Sequence, residues 1–340
     1  MTEFRPPAWL ANRHLQSVLS SLPLRRAAVE RRAAAVIAAS RELVLDCGDG
    51  VRLMGWHAAP AAGSTRAPAR LAVLLHGWEG SSDSLYVLSI AQLLHERGLS
   101  VLRLNLRDHG GTHSLNRDLF HSCRLDEVVG AVRRLRALDP GSELALAGFS
   151  LGGNFCLRVG ARAAEAGIRI ARIVAVCPVL EPSTTLAALE RGPSIYRQYF
   201  MMKWRRSLRA KQQSWPAVYD FGALLAEPSL TAMTGRMVLK YTDFPDLATY
   251  LRGYAITGSV LERLEAPTHI VASRDDPMIL AHDLERLARS PSLRLTVTAR
   301  GGHCGFMDAI GGPSWIDRLI VDEMLRDQAA ASRIRSSHFR

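Results

Sequence analysis

Cysteine is scarce in this chain of 340 residues. The five cysteines, at positions 47, 123, 156, 177 and 304, are odd in number and form no CxxC pair. This pattern excludes a disulfide framework and the common structural zinc sites. A few unpaired cysteines are typical of proteins from a reducing compartment, so we predict a cytoplasmic protein.

The chain also lacks long apolar runs and clustered positive charge. No stretch of about 18 uninterrupted apolar residues is present, which excludes a membrane-spanning helix. The N-terminal residues do not have the pattern of a secretory signal. The formal net charge is +11, but lysine occurs only at 203, 211 and 240, and the arginines are scattered. Because nucleic-acid-binding modules cluster their charge, we expect no nucleic-acid partner.

Apolar runs typical of buried strands alternate with helical segments along most of the chain. The predicted strands are 41–46 and 51–56 as a hairpin, then 71–75, 100–106, 143–146, 170–176, 268–272 and 293–297. The predicted helices are 84–97, 125–138, 154–166, 281–289 and 315–326. This alternation predicts an α/β fold with a mostly parallel central sheet flanked by helices on both faces.

The alternation stops once, and this interruption sets the predicted domain organisation. Residues 181–254 carry bulky aromatic and charged residues without strand runs, which predicts a helical cap insertion. The predicted divisions are an N-terminal segment packing on the core (1–40), the first part of the core (41–180), the cap (181–254), the second part of the core (255–328) and a polar tail (329–340).

A lone serine stands between glycines where a predicted strand meets a predicted helix. The motif is Gly148-x-Ser150-x-Gly152. Small residues relieve crowding in a tight turn, which is one explanation of the pattern. The other is a nucleophile elbow, in which a sharp turn exposes the serine hydroxyl at the carboxyl ends of the strands.

A serine needs a base and an orienting acid before it becomes a good nucleophile. His303 follows the last predicted strand, and the pair Asp275-Asp276 follows the strand before it. Both positions therefore lie at the carboxyl edge of the sheet, where ligands bind in open α/β folds. We choose Asp276 over Asp275 because Pro277 directly follows it, and the choice between the two stays open.

An acyl-transfer site also needs two N–H donors for the oxyanion of the tetrahedral intermediate. The main-chain N–H of Leu151, directly after Ser150, is the first candidate. The main-chain N–H of Trp78 is the second, because the loop that begins at His76 follows an earlier strand and reaches over the serine. We assign His76 to the scaffold of that loop, and the Trp78 side chain to the wall of a substrate pocket.

Two further groups of residues suggest ligands. His109, His113 and His121 lie near Asp108, but their spacings match no zinc signature, so we predict no metal site. The basic segment 203–211 lies in the predicted cap. It is either a solvated cap helix or a weak contact to an anionic membrane surface.

Six stretches, spread over nearly the whole chain, carry a family resemblance. They are PPAWLANRHLQSVL (6–19), HGWEGSSDS (76–84), RLNLRDHGGTHSLNRDLFHSCRLDE (103–127), GFSLGGN (148–154), SRDDP (273–277) and GGHCGF (301–306). Together they resemble the YheT-like branch of the α/β-hydrolase superfamily. Two positions depart from that pattern: Arg13 stands where proline is usual, and Asp108-His109 replaces a glycine-led continuation.

The resemblance implies an α/β-hydrolase fold with Ser150 as nucleophile, His303 as base and Asp276 as orienting acid. It implies hydrolysis or transfer of carboxylic esters, with no cofactor and no metal. We therefore predict a serine hydrolase that cleaves small-molecule esters or lipids of medium or longer acyl chain through an acyl-enzyme. Two alternatives stay open: acyl transfer to an alcohol on the same triad, and a non-catalytic binding module on the same fold.

Overall fold

A mostly parallel β-sheet of eight strands forms the centre of the computed structural model, which describes residues 3–20, 22, 25–60 and 69–326. The polar tail predicted at 329–340 lies outside those residues. The strands are β1 (Ser40–Gly48), β2 (Val51–Ala58), β3 (Arg70–Leu75), β4 (Ser100–Leu104), β5 (Glu143–Phe149), β6 (Arg172–Val176), β7 (Thr268–Ser273) and β8 (Leu293–Thr298).

The order of the strands across the sheet is β1-β2-β4-β3-β5-β6-β7-β8. β1 and β2 form the predicted antiparallel hairpin, and β2 also pairs antiparallel with β4. The other neighbouring strands in the described part of the chain are parallel. The carboxyl ends of β3 to β8 therefore meet at one edge of the sheet, and the predicted α/β fold is confirmed.

Helices cover both faces of the sheet. Those described are α1 (Arg13–Leu19), α2 (Arg26–Arg32), α3 (Ala34–Ala39), α4 (Leu85–Glu96), α5 (Leu125–Leu138), α6 (Leu151–Arg162), α7 (Pro182–Arg191), α8 (Ser194–Ser214), α9 (Gly222–Leu225), α10 (Leu230–Tyr241), α11 (Leu247–Arg252) and α12 (Trp315–Leu325). α5 and α6 share one apolar core with the sheet, whereas α2, α3, α4 and α12 share the other.

Strand β3 shows why the apolar runs are continuous. Leu71 and Val73 belong to the core under α5 and α6, whereas Ala72 and Leu74 belong to the core under α4 and α12. Successive side chains of a strand point to opposite faces, so a strand covered on both sides needs apolar residues at every position.

The N-terminal residues pack against the second of these cores. The ring of Phe4 lies 5.7 Å from that of Phe306 and 5.4 Å from that of Trp315, measured between centroids. Val29 on α2 and Val36 on α3 are fully buried in the same cluster. This packing places α1 next to the loop that follows β8.

Five helices, α7 to α11, lie in the fully described stretch 181–254 between β6 and β7, which we refer to as the cap. Their apolar side chains form a cluster around Phe221, Leu230 and Met233, which Leu119 and Met278 of the core join. Tyr196 and Trp204, two of the aromatic residues that suggested an insertion, belong to this cluster. None of the helices in the described part of the chain is both long and apolar enough to cross a bilayer.

Two lysines fasten the cap to the core. The Lys211 side chain on α8 is fully buried, and its Nζ lies 2.9 Å from Asp108 Oδ1. Lys203, one end of the basic segment 203–211, donates a hydrogen bond of 2.7 Å to the main-chain carbonyl of Glu79. The expectation of a solvated basic helix is therefore wrong for Lys211, whose side chain is fully buried, whereas Lys203 is half-buried.

The segment predicted as a helix at 281–289 is instead a short 3₁₀ helix, Ala281–Arg286. The buried carboxylate of Asp283 accepts hydrogen bonds there from the Thr184 hydroxyl of α7 and from the Arg286 guanidinium. Polar contacts, rather than an apolar helical stripe, therefore hold this segment against the cap.

Replacement of Gly130 by alanine should destabilise the protein. Gly130 lies on α5 against β1, where an added Cβ would overlap the main-chain carbonyl of Cys47. Overpacking against the backbone typically costs about 1–3 kcal/mol. We expect Gly130→Ala to lower the free energy of unfolding, measured by urea denaturation, by at least about 1 kcal/mol.

Gly235→Ala is the matched control, because Gly235 lies on α10 with no atom within 4 Å of the added Cβ. Alanine is the better helix former, so this variant should be unchanged or more stable by up to about 1 kcal/mol. Equal losses in the two variants would contradict the packing of α5 on β1.

Candidate active site

Ser150 occupies a strained turn between β5 and α6. Its backbone adopts φ 53° and ψ −118°, a conformation that non-glycine residues rarely adopt. A Cβ at Gly148 would overlap the carbonyl of Gly152, and one at Gly152 would overlap the carbonyl of His76. The two explanations of the motif therefore apply together: the glycines permit a tight turn, and the turn isolates the serine at its corner. α6 begins directly after Ser150, three residues earlier than the helix predicted from residue 154.

His303 and Asp276 form a hydrogen-bonded pair next to this turn. His303 Nδ1 lies 2.8 Å from Asp276 Oδ2. The other carboxylate oxygen of Asp276 accepts the main-chain N–H groups of Met278 and Ile279 at 2.8 and 2.9 Å. Asp275 points elsewhere, since its Oδ1 accepts the N–H of Gly302 at 2.9 Å. Of the two aspartates, Asp276 is the one in contact with the imidazole.

The electrostatic surroundings of His303 favour its protonated form. Burial alone would lower the pKa of this imidazole, but the Asp276 carboxylate and the Cys304 sulfur hold the pKa well above its usual value. The negative charge of Asp276 therefore stabilises the imidazolium that forms when His303 gains a proton.

The predicted contact between Ser150 and His303 is not a formed hydrogen bond in this structure. Among the described residues, no hydrogen bond joins Ser150 Oγ to the imidazole, although both side chains line one cavity. Hydrogen bonds between nucleophile and base are often long in ligand-free enzymes and shorten in the substrate complex. In the structure, Ser150 and His303 therefore line the same cavity, and the imidazole of His303 contacts the carboxylate of Asp276.

The two predicted oxyanion donors have main-chain N–H groups that remain available. Within residues 3–20, 22, 25–60 and 69–326, no acceptor binds the N–H of Trp78 or Leu151. Leu151 is the first residue of α6, where N–H groups have no intrahelical partner and the helix dipole is positive. The loop that carries Trp78 lies against the serine, since a Cβ at Gly77 would be 3.3 Å from Ser150 Cβ.

His76 and His109 brace this loop. The fully buried His76 donates from Nδ1 to the Gly77 carbonyl at 2.7 Å and accepts the Leu106 N–H at Nε2 at 3.2 Å. Burial lowers the pKa of His76 to about 4, so the ring stays neutral. The ring of His109 lies 4.9 Å from that of His76 and accepts the Glu79 N–H at 3.1 Å. These rings therefore hold the loop that carries Trp78 in place.

Ser150 and His303 line a cavity of about 730 Å³ whose walls come from both the core and the cap. Its size is typical of sites for small-molecule ligands. The cap supplies the apolar side chains of Leu186, Leu189, Ile195, Phe200, Trp204 and Met237. Trp78 also lines the cavity, and its indole stacks on Phe200 at 5.2 Å and 12°. These apolar walls favour a ligand with an apolar chain that extends along the cavity from a polar group near Ser150.

His113 and His121 take different positions from His109. His113 Nε2 lies 2.9 Å from the hydroxyl of Ser207 on α8, so this ring links the core to the cap. His121 lines the cavity, where burial first and nearby arginines second lower its pKa to about 3. A neutral His121 is a polar group of the cavity that the sequence reasoning did not assign to the site.

Helix α1 holds the loop that carries His303. The fully buried Gln16 donates to the main-chain carbonyl of Met307 at 2.8 Å and accepts its N–H at 2.7 Å. Ser17 Oγ accepts the main-chain N–H of His303 at 2.8 Å. The sequence reasoning found the stretch 6–19 only as part of a family resemblance. The signal in the sequence is that the polar residues Gln16 and Ser17 stand between Leu15 and Val18, which could have indicated that their side chains bind other parts of the chain.

Comparisons with known proteins agree with this architecture. The model of the alpha/beta hydrolase family matches residues 72–311, more than half of the chain. The protein named "Putative esterase YheT" of Escherichia coli (strain K12) is 27% identical over 340 residues, covering 94% of this chain and 92% of that protein. "Phospholipase ABHD3" of Mus musculus is 22% identical, covering 70% of this chain and 58% of that protein.

Solved structures share the fold. The esterase Pf2001 of Pyrococcus furiosus superimposes with a TM-score of 0.54 at 16% identity, covering 84% of this chain and 91% of that one. The carboxylesterase CesB of Bacillus subtilis superimposes with a TM-score of 0.52 at 15% identity, covering 89% and 98%. At these identities the likeness concerns the fold alone.

Replacement of Asp276 by asparagine should lower the pKa of His303. Removing the carboxylate charge leaves burial, which disfavours the imidazolium, as the stronger influence. A neighbouring carboxylate typically raises such a pKa by roughly 1–3. NMR titration of isotopically labelled histidine should therefore give His303 a pKa that is lower than in the wild type by at least about 1 pH unit.

Asp275→Asn is the matched control, because Asp275 binds Gly302 and not the imidazole. This variant should leave the titration of His303 close to that of the wild type. A larger change with Asp275→Asn than with Asp276→Asn would reverse the assignment of the two carboxylates.

Proposed function

We propose, from the premise that the chain belongs to the alpha/beta hydrolase family, that it is a serine hydrolase that cleaves carboxylic esters. Ser150 is the proposed nucleophile, His303 the base and Asp276 the orienting acid. The observation that carries the proposal is the 2.8 Å contact between His303 Nδ1 and Asp276 Oδ2, in the cavity that holds the strained Ser150. Homologues named esterase, phospholipase and monoacylglycerol lipase support the reaction class.

Acylation begins when His303 takes the proton of Ser150 Oγ as the oxygen attacks the ester carbonyl. The N–H groups of Trp78 and Leu151 bind the resulting oxyanion, and losing one such donor typically costs about 3 kcal/mol. Asp276 fixes the imidazole with Nδ1–H toward the carboxylate and stabilises the imidazolium. The imidazolium then protonates the leaving alcohol, and the acyl group remains on Ser150.

Deacylation repeats these steps with water as the nucleophile. His303 accepts a proton from the water as it attacks the acyl-enzyme, and then returns that proton to Ser150 Oγ. An alcohol in place of water would give acyl transfer on the same groups. None of these steps requires a metal or a cofactor.

The proposed substrates are small-molecule esters or lipids with a medium or longer acyl chain. Apolar side chains of the cap line one part of the cavity, and Trp78 forms part of its wall from the core. The 730 Å³ volume exceeds what an acetyl group fills, so a longer chain removes more apolar surface from water. This gain in apolar contact is the physical reason for the proposed preference.

The proposal also includes a cytoplasmic setting and a weak contact of the cap with a membrane surface. The five cysteines are all free thiols, which is in keeping with a reducing compartment. On α8, the apolar side chains of Ile195 and Met202 and the cationic side chains of Arg206 and Arg209 are exposed. Apolar side chains flanked by arginines are suited to an anionic lipid surface.

Ser150→Ala should remove esterase activity. Without the nucleophile no acyl-enzyme forms, and kcat/KM for p-nitrophenyl esters should fall by at least about a thousandfold. Ser214→Ala, at an exposed position on α8, is the control and should keep full activity. A fluorophosphonate probe should label wild type at Ser150, whereas an unlabelled folded protein would favour the non-catalytic binding module.

Product analysis separates hydrolysis from acyl transfer. In the presence of a primary alcohol, a hydrolase should release mainly free acid, whereas an acyltransferase should form mainly the new ester. An excess of the new ester at low alcohol concentration would replace the proposed hydrolysis by transfer without changing the triad.

Narrowing the cavity should shift the preference to shorter esters. Leu186 lines the cavity from α7 and is only partly buried, so tryptophan there should fill the space without overpacking the core. For Leu186→Trp, the ratio of kcat/KM for p-nitrophenyl octanoate to that for acetate should fall by about tenfold or more.

Leu239→Trp is the matched control, because Leu239 is 67% exposed and does not line the cavity. Its chain-length profile should match that of the wild type, which should favour octanoate over acetate. A wild-type preference for acetate would contradict the proposed substrate class.

A further inference from the structure

Two buried thiols lie beside the proposed catalytic base. Cys177 follows the end of β6, and Cys304 follows His303 in the chain. One ring nitrogen of His303 and the two sulfur atoms all lie within 4.8 Å of one another. Cys177 is fully buried and Cys304 is 8% exposed, so both thiols face this cluster rather than solvent.

The main chain fixes both sulfur atoms. The N–H of Cys304 donates to Cys177 Sγ at 3.4 Å, and Cys304 Sγ lies 3.6 Å from the carbonyl of Val176. Both cysteines have positive φ, 42° for Cys177 and 60° for Cys304. Their side chains are therefore held by local backbone geometry, and N–H donors to sulfur are contacts that also orient metal-bound thiolates.

The donor set is that of a zinc site with one open position. Zn²⁺ binds thiolate sulfur at about 2.3 Å and imidazole nitrogen at about 2.0 Å, usually in tetrahedral geometry. Those bond lengths place ligand atoms roughly 3.5–3.8 Å apart, so the observed cluster needs shifts of only about 1 Å. Two thiolates also balance the charge of a divalent cation, which a buried site requires.

We propose that Cys177, Cys304 and His303 form an inhibitory site for Zn²⁺ or a similarly thiophilic divalent cation. On binding, the two thiols and the His303 imidazolium each release a proton to solvent, both sulfurs and one imidazole nitrogen donate lone pairs to the metal, and no electron is transferred. His303 is then unable to accept the proton of Ser150. The inhibition rests on the proposed function, whereas the binding does not.

The cavity provides a path for the cation and a place for its fourth ligand. His303 and Cys304 both line the cavity, while Cys177 lies behind them. A metal held by these three groups would have its open position toward the cavity, where water can complete the coordination. The inhibitor and the ester therefore compete for the same part of the site.

Co²⁺ absorption tests the binding independently of catalysis. Wild type should bind one Co²⁺ per chain with thiolate-to-metal charge-transfer absorption, and Zn²⁺ should remove this absorption by displacement. Cys177→Ala should lose the absorption. Cys47→Ala, which removes a buried free thiol of β1 outside the cluster, should retain it. Circular dichroism should show that both variants are folded.

Zinc titration of the esterase tests the inhibition. Zn²⁺ should abolish wild-type activity, and a chelator should restore it. Cys177→Ala should keep activity without metal and require at least about tenfold more Zn²⁺ for half inhibition. Cys304→Val, examined by metal binding alone, should lose the charge-transfer absorption and so provides a second variant if Cys177→Ala does not fold.

The outcomes separate the two proposals. Absence of charge-transfer absorption in folded wild type, or equal zinc sensitivity of wild type and Cys177→Ala, would overturn the metal site. A wild type that binds Co²⁺ at the cluster but cleaves no ester would contradict the proposed function and leave the binding site standing.

Discussion

The backbone turn at Ser150 is the constraint on which the rest of the site depends. Its positive φ places the serine at a corner, and its N–H donates to the Val176 carbonyl at 2.9 Å, which ties the corner to the neighbouring strand. Gly148 and Gly152 are required because side chains there would overlap the backbone. The parallel sheet then brings the loops after β3, β7 and β8 to the same edge. The packing and hydrogen bonds of several strands thus stabilise the strained backbone conformation of Ser150.

Local patterns were enough to predict the fold and the position of the serine. Continuous apolar runs such as 71–75 indicated strands covered on both faces, and the structure confirms the mostly parallel sheet. The resemblance to the YheT-like branch is also confirmed by the family and full-length matches. Proximity in sequence did not separate Asp275 from Asp276. Neighbouring residues of a loop point in different directions, and only the structure shows that Asp276 contacts His303.

Local sequence patterns could not predict contacts between residues that lie far apart in the chain. Gln16 and Ser17 hold a loop nearly 290 positions away, and neither residue carries chemistry that would mark it as part of a site. Lys211 looked like one charge of a basic segment, but its partner Asp108 lies about a hundred positions earlier. Burial of a charge depends on a partner brought by the fold, and composition alone does not identify that partner.

The surroundings of His303 link the proposed reaction to the proposed metal site. The proposed acylation forms a positive imidazolium when His303 takes the serine proton, and Asp276 supplies the negative charge that stabilises it. Cys304 adds a sulfur within reach of the same ring, and Cys177 adds a second sulfur behind it. A pocket built to hold a transient positive charge on nitrogen is also favourable for a cation. Selectivity between a proton and a metal then depends on the two thiols, since oxygen and nitrogen ligands alone would not favour a thiophilic ion.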